Sequence, residues 1–260
     1  MVNARRFDGA VVYVTGAGDG IGRATALRLA AEGAAIGIMT LDPNQAEDVA
    51  AECRDMGAAV VIAVGDLGDA DFVSEAHQQV VEALGPADIL INNVAVGIEA
   101  PFLELTDADF ERTFAVNFMA GVRLTRLVLP AMLEKGAGVL VNVASVQGAF
   151  GWPGASAYAA SKGAVMSWSR QLANEFGTRG IRSNSVLPGA VLTAMQMERI
   201  AREGETSRTR SANLHIIPRL QEPEEVAAAI AFLASAEASF ITGTDFRADG
   251  GTMTKAHSYL

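Results

Sequence analysis

Cysteine is nearly missing from this chain. Only Cys53 occurs among 260 residues, so no disulfide can form within it and nothing in its composition points to an oxidising compartment. Histidine is scarce too: His77, His215 and His257 are scattered without clustered partners, an arrangement that suggests no metal site. No Lys/Arg-rich run offsets the net charge of −10, which argues against nucleic acid or an anionic membrane surface as partner. The chain also lacks any stretch of ~18 uninterrupted apolar residues, and its start, MVNARRFDGAVVYV, has no long apolar run before a cleavage-like site. A cytoplasmic protein without a membrane partner is expected. Cys53 itself, in VAAECRDMG, reads as a small packing residue on a helix.

What is present is a hydrophobic fraction of 50%, enough for a sizeable core. Short β-branched runs alternate with longer amphipathic ones: AVVYV then GRATALRLAAEG, AAIGIM then NQAEDVAAECRDMG, AVVIAV then DADFVSEAHQQVVEALG, and DILIN then a long stretch through RLTRLVLPAMLEKG. GVLVNVA, IRSNSVL and TDFRADGG supply later strands, with EEVAAAIAFLAS as a helix before the last. The strands are nearly all apolar, as covered strands are, and the alternation predicts right-handed βαβ units. The expected fold class is therefore α/β, a single domain over residues 1–260 with one doubly wound parallel sheet and helices on both faces. Gly33, Gly57, Gly85 and Gly136 each close a helical run and Pro223 opens one. Residues 193–223 follow no clean period and read as a lid or binding loop.

The first strand runs into VTGAGDGIGRA, placing Gly16, Gly20 and Gly22 where a strand turns into a helix. Glycines there let backbone approach a phosphate, while the helix offers unpaired N–H groups and the positive end of its dipole. The spacing differs from G-x-G-x-x-G, because Ile21 stands at the third glycine. In SAYAASKGA, Tyr158 and Lys162 are four apart, so a helix brings phenol and ammonium to one face. A free phenol, with a pKa of about 10, is a poor base at neutral pH. A cation ~4 Å away favours the phenolate by about 4 kcal/mol at an effective dielectric of 20, so Lys162 is expected to lower the Tyr158 pKa. Ser145, in VNVASVQG, is not set in G-x-S-x-G and has no suggestive histidine, which disfavours a hydrolase nucleophile.

TGAGDGIG (Thr15 to Gly22), NNVA (Asn92 to Ala95), Asn117 in AVNF, Ser145, Tyr158 with Lys162, and Pro188-Gly189 together resemble the ordered motif set of the short-chain dehydrogenase/reductase family, over nearly the whole chain. The resemblance implies a Rossmann-type fold and a nicotinamide dinucleotide. Its pyrophosphate would lie over Gly16, Asp19, Gly20, Ile21 and Gly22, its adenine near Asp66 and Leu67, and its ribose floor at Asn93 and Ala95. Val191 and Thr193, after Pro188 and Gly189, would hold the carboxamide. Tyr158 would be the acid/base, and Ser145 would donate to the substrate oxygen. Lys162 would also bind the nicotinamide ribose, and Asn117 would support a water relay. The motif departs from the usual NNAG at Ala95. The family's acidic position after the second strand falls on Thr40, with Asp42 two residues later. No Lys or Arg occurs from Glu32 to Cys53, and Asp19 stands where many NADP-preferring relatives are basic, so NAD is expected over NADP on electrostatic grounds.

The expected activity is hydride transfer between NAD and a secondary alcohol or ketone. Two alternatives stand beside it: an NADPH-dependent ketoreductase, and a dinucleotide-binding sensor without catalysis. Phe150, Trp152, Met195 and Met197 are candidates for an apolar substrate wall, with a subunit contact as the other reading of Phe150 and Trp152. Arg202, Arg208 and Arg210 lie on the lid segment, and no cationic cluster announces a carboxylate, so a neutral or weakly polar substrate is expected. The resemblance further implies a homotetramer, which Trp168 and Phe176 on the helix after Lys162 permit.

Overall fold

The computed structural model describes residues 5–255; His257 lies outside them. Seven strands form one sheet: β1 (Val11–Thr15), β2 (Ala35–Thr40), β3 (Val60–Val64), β4 (Ile89–Asn92), β5 (Gly138–Val143), β6 (Ile181–Pro188) and β7 (Asp245–Ala248). Their order is β3-β2-β1-β4-β5-β6-β7 and every neighbouring pair is parallel. The order reverses between β1 and β4, which opens a crevice beyond the carboxyl ends of those strands.

Helices α1 (Gly20–Ala31), α2 (Pro43–Asp55), α3 (Ala70–Leu84), α4 (Asp107–Phe114), α5 (Ala120–Lys135), α6 (Ser156–Phe176), α7 (Ala194–Glu203), α8 (Glu205–Ala212) and α9 (Pro223–Ala234) connect them. Strand alternation splits the core into two layers. Val12 and Val14 join Leu29 of α1, Val49 of α2 and Ile230 of α9, whereas Tyr13 joins Val80 of α3 and Leu124 of α5. Cys53 is fully buried in the first layer, and burial pushes its thiol up to about 11, as suits a packing residue. The run Asp107–Lys135 is by length and composition long and apolar enough to cross a membrane. In the fold its apolar residues Ala120, Leu124, Val128 and Met132 are buried in the second core layer.

Not every strand is apolar. Asn142, Ser183, Asn184 and Ser185 are fully buried on β5 and β6. Asn92 Nδ2 donates to Asn142 Oδ1 at 2.9 Å, and Asn142 Nδ2 donates to Ser169 Oγ on α6 at 3.1 Å. These bonds satisfy groups whose burial would otherwise be costly, and they tie α6 to the sheet.

Residues 193–223, expected to be irregular, contain α7 and α8. Neither helix packs into the core: α7 has no buried residue and α8 buries only Ser207 and Ser211. The ends of the excursion are tied together, Leu192 N donating to Gln221 O at 2.8 Å and Gln221 N to Ala190 O at 2.9 Å.

Candidate active site

A cavity of about 470 Å³ lies beyond the carboxyl ends of the strands, between the turn after β1 and the segment that carries α7. Its floor near β1 is a turn that only glycine can make. Gly16 and Gly20 have φ of +63° and +53°, and a Cβ on Gly16 would stand 2.9 Å from Val94 Cα. At Gly22, within α1, a Cβ would meet Gly16 O at 2.0 Å. Asn93 holds the turn against β4, its Nδ2 donating to Thr15 O at 2.9 Å and to Gly16 O at 3.2 Å. Asp19, the residue before α1, makes no side-chain cap to the helix; its carboxylate instead accepts from Ala194 N at 3.2 Å, at the start of α7. The first-turn N–H groups of α1 are thus left without a side-chain cap at a helix N-terminus beside a cavity, the chemistry that holds a pyrophosphate. The donor set fits a dinucleotide.

Of the residues expected to touch a cofactor, Gly16, Asp19, Gly20, Ile21, Thr40, Asp66, Leu67, Asn93, Ala95, Pro188, Gly189, Val191 and Thr193 line this cavity, together with Ser145, Tyr158 and Lys162. Gly22, Asp42 and Asn117 are placed elsewhere. Asp42 caps α2, accepting from Asn44 N at 2.8 Å and Gln45 N at 3.3 Å, while Thr40, on which the family's acidic position falls, lines the cavity with Leu41 and Gln45. Asn117 sits in a π-helical turn, Ala115–Met119, between α4 and α5. Its Oδ1 accepts from Val96 N at 2.8 Å, and its Nδ2 donates to Val96 O at 3.0 Å and Ser161 Oγ at 3.1 Å. The amide is fully engaged in holding the chain after β4 onto α6.

Ser145 follows β5 and caps a short 3-10 turn, its Oγ accepting from Gln147 N at 3.1 Å. Lys162 is 2% exposed. Its Nζ donates to Val143 O at 2.8 Å and lies 5.6 Å from the centre of the Tyr158 ring, on the same face of α6. The electrostatic expectation needs correcting here. Burial pushes the Tyr158 phenol up to about 12, a hydrogen bond from Ser145 pulls it partly back, and the charge of Glu99 raises it. Burial also brings the Lys162 ammonium down to about 8. In the protein alone, desolvation sets the direction of both shifts.

Several lining residues were not singled out in the sequence. Arg112, from α4, donates to Asp66 Oδ2 at 2.6 Å and holds that carboxyl below its usual range. Behind Gly189 and Ala190, and not itself lining the cavity, His215 is 2% exposed; its Nε2 accepts from Ala190 N at 3.0 Å and its Nδ1 lies 2.6 Å from Arg219 O. A Cβ on Gly189 would stand 2.3 Å from that Nε2, so glycine and imidazole fit as a pair. Beyond the glycine turn, Phe150, Trp152 and Met195 also line the cavity, as do Glu99, Gln147, Arg199 and Arg202. Met197, Arg208 and Arg210 do not line it. Trp168, rather than standing free on α6, meets Phe118 edge-on at 5.8 Å between ring centres.

Comparisons with known proteins agree with this geometry. Meso-2,3-butanediol dehydrogenase of Serratia marcescens is 39% identical over 95% of this chain and 95% of its own. The 3-oxoacyl-[acyl-carrier-protein] reductase of Thermotoga maritima is 35% identical over 95% of this chain and 98% of its own. A crystal structure from Agrobacterium tumefaciens aligns over 98% of this chain and all of its own with a TM-score of 0.92 at 26% identity. The family described as short chain dehydrogenase matches residues 10–204, and the chain belongs to that family of oxidoreductases.

Proposed function

We propose that the protein oxidises a secondary alcohol to a ketone, and runs the reverse, with NAD. The observation that carries this reading is the meeting of Tyr158, Ser145 and Lys162 in one cavity that the uncapped glycine turn also lines. When bound, the nicotinamide supplies the acceptor or donor of hydride. The chain itself supplies proton handling and position. Tyr158 takes the hydroxyl proton in oxidation and returns it in reduction. Ser145 holds the substrate oxygen beside it. Lys162, anchored through Val143 O, presents a buried ammonium that would bind the nicotinamide ribose and favour the phenolate as it forms. Asn117 acts through position, keeping Val96 and Ser161 in register.

Preference for NAD rests on charge. Among the described residues the cavity cations are Arg112, Lys162, Arg199 and Arg202, and Arg112, the one beside Asp66, is already paired with that carboxylate. A 2′-phosphate near Thr40 would find no free cation and would have Asp19 in the same wall. The two named relatives act, by their names, on a diol and on an oxoacyl group, which share a carbinol or ketone carbon. Assembly as a homotetramer is part of the proposal and is read by light scattering.

The test is a panel of secondary alcohols and ketones with both cofactors, followed by nicotinamide absorbance. Turnover with NAD is expected. No turnover with any member would overturn the activity, and a clear preference for NADP would overturn the cofactor assignment.

A further inference from the structure

The substrate end of the cavity carries charges that proton transfer does not use. Glu99, in the chain after β4, faces the lid helix α7 and contacts Arg199 at 3.5 Å and Arg202 at 4.0 Å. Both are slack compared with Arg219 and Glu225, which meet through two bonds of 2.6 Å and 2.7 Å. A carboxylate held so loosely keeps lone pairs for another donor. Arg199 is better fixed: its guanidinium lies 5.5 Å from the centre of the Trp152 ring, and its Nε donates to Glu203 at 3.2 Å. The two side chains are 16% and 27% exposed, for Arg199 and Glu99 respectively.

This end does not select an anion. Glu99 and Glu198 balance Arg199 and Arg202 in the lining, and Glu203 further neutralises both arginines. A substrate carboxylate would meet as many carboxylates as guanidiniums. Nor is the end wholly apolar, despite Phe150, Trp152 and Met195. A hydroxyl suits it, because one O–H can donate to Glu99 while its lone pairs accept from Arg199. The chain at Glu99 is tied to the segment before α6 by the bond from Ala100 N to Gly154 O at 3.0 Å, and Glu99 and Tyr158 line the same cavity, so the second hydroxyl it binds would stand close to the reacting one.

We propose that Glu99 and Arg199 form a subsite for a hydroxyl on the carbon adjacent to the one oxidised, making vicinal diols and short polyols the substrate class. This rests on the alcohol dehydrogenase reading and goes beyond it by naming the residues that choose the substrate.

The experiment compares kcat/KM for stereoisomers of 2,3-butanediol and the tetritols with that for 2-butanol, in the wild type, Glu99→Leu, Glu99→Gln and Arg199→Met. The wild type should favour its best diol by about tenfold or more, the worth of one charge-assisted hydrogen bond. Glu99→Leu and Arg199→Met should bring that ratio towards one, chiefly through KM for the diol, with Glu99→Gln between. The ratio is the proper readout because removing the Glu99 charge also shifts the Tyr158 pH profile, equally for both substrates. Circular dichroism and NADH binding establish that each variant is folded, and Arg199→Met carries the test if Glu99→Leu does not fold. Turnover of 2-butanol with no diol preference in the wild type, or an equal fall for both substrates in the variants, overturns the subsite and leaves the dehydrogenase standing. Absence of turnover with every alcohol and ketone overturns the activity and the subsite with it.

Discussion

The two ends of the cavity are built differently. The end at β1 is backbone: glycines whose absent side chains make room, a strand end, and an asparagine bonded to carbonyl oxygens, with a Cβ tolerance at Gly22 of only 2.0 Å to Gly16 O. The end under α7 is side chain: Trp152, Glu99, Arg199 and Met195, brought from three separate segments and joined by ion pairs of 3.5–4.0 Å. Backbone geometry suits a ligand part that does not vary, whereas loosely joined side chains can be exchanged without disturbing the sheet. The contrast explains how one fold keeps its cofactor and changes its substrate.

The sharpest break between chemistry and binding is Tyr158→Phe, which should cut kcat by about 10²–10⁴-fold, the usual worth of general acid–base catalysis, while NADH binding by fluorescence persists. A protein whose turnover survives that change does not use the phenol. Because burial raises this phenol to about 12 and oxidation needs the phenolate, alcohol oxidation should climb with pH through the neutral and alkaline range. Ketone reduction, which needs the protonated phenol, should fall as pH rises through the same group. A flat pair of profiles would remove Tyr158 from the proton path.

Next in size, Gly22→Ala should destabilise the fold by about 1–3 kcal/mol, since its methyl meets backbone that must move, and should weaken NAD binding. Thermal melts and titration check both. Met195→Leu at the other end, volume-conserving and on an exposed helix, should change stability by less than about 1.5 kcal/mol while altering substrate ratios. Equal sensitivity at the two ends would dissolve the contrast. Smallest is Asp42→Ala, which removes a helix cap worth about 1 kcal/mol and should leave KM for NAD unchanged. A large rise in that KM would return Asp42 to the ribose.

What could be read from the sequence follows the same division. The doubly wound parallel sheet and the glycine spacing were legible because each is encoded by neighbours in the chain, in alternating period and Gly spacing, whereas the strand order, with its reversal between β1 and β4, was not. Glu99, Arg112, Arg199 and His215 were not, since each gains meaning only from a partner distant in sequence. Arg199 lies 100 residues from Glu99, and His215 depends on Ala190 and Gly189. Asp42, close behind the second strand, is taken up by a local helix cap that its place in the sequence does not announce. The Tyr158–Lys162 pairing was legible as spacing, but its electrostatics were not, because burial is a property of the folded whole.

The π-helical turn at Ala115–Met119 fixes the phase of a 29-residue helix, Asp107–Lys135. Such a turn holds one residue more than regular winding requires. Deleting a single residue there would relax it to regular winding with the flanks still in phase, whereas deleting one from the regular turn that follows, at Gly121 or Val122, would swing everything downstream by about 100° around the axis. Leu124, Val128 and Met132 would then leave the core while Arg112, upstream, stayed on Asp66. The helix thus behaves as a keyed shaft, and its phase between Met119 and Leu124 is among the least negotiable features of the molecule.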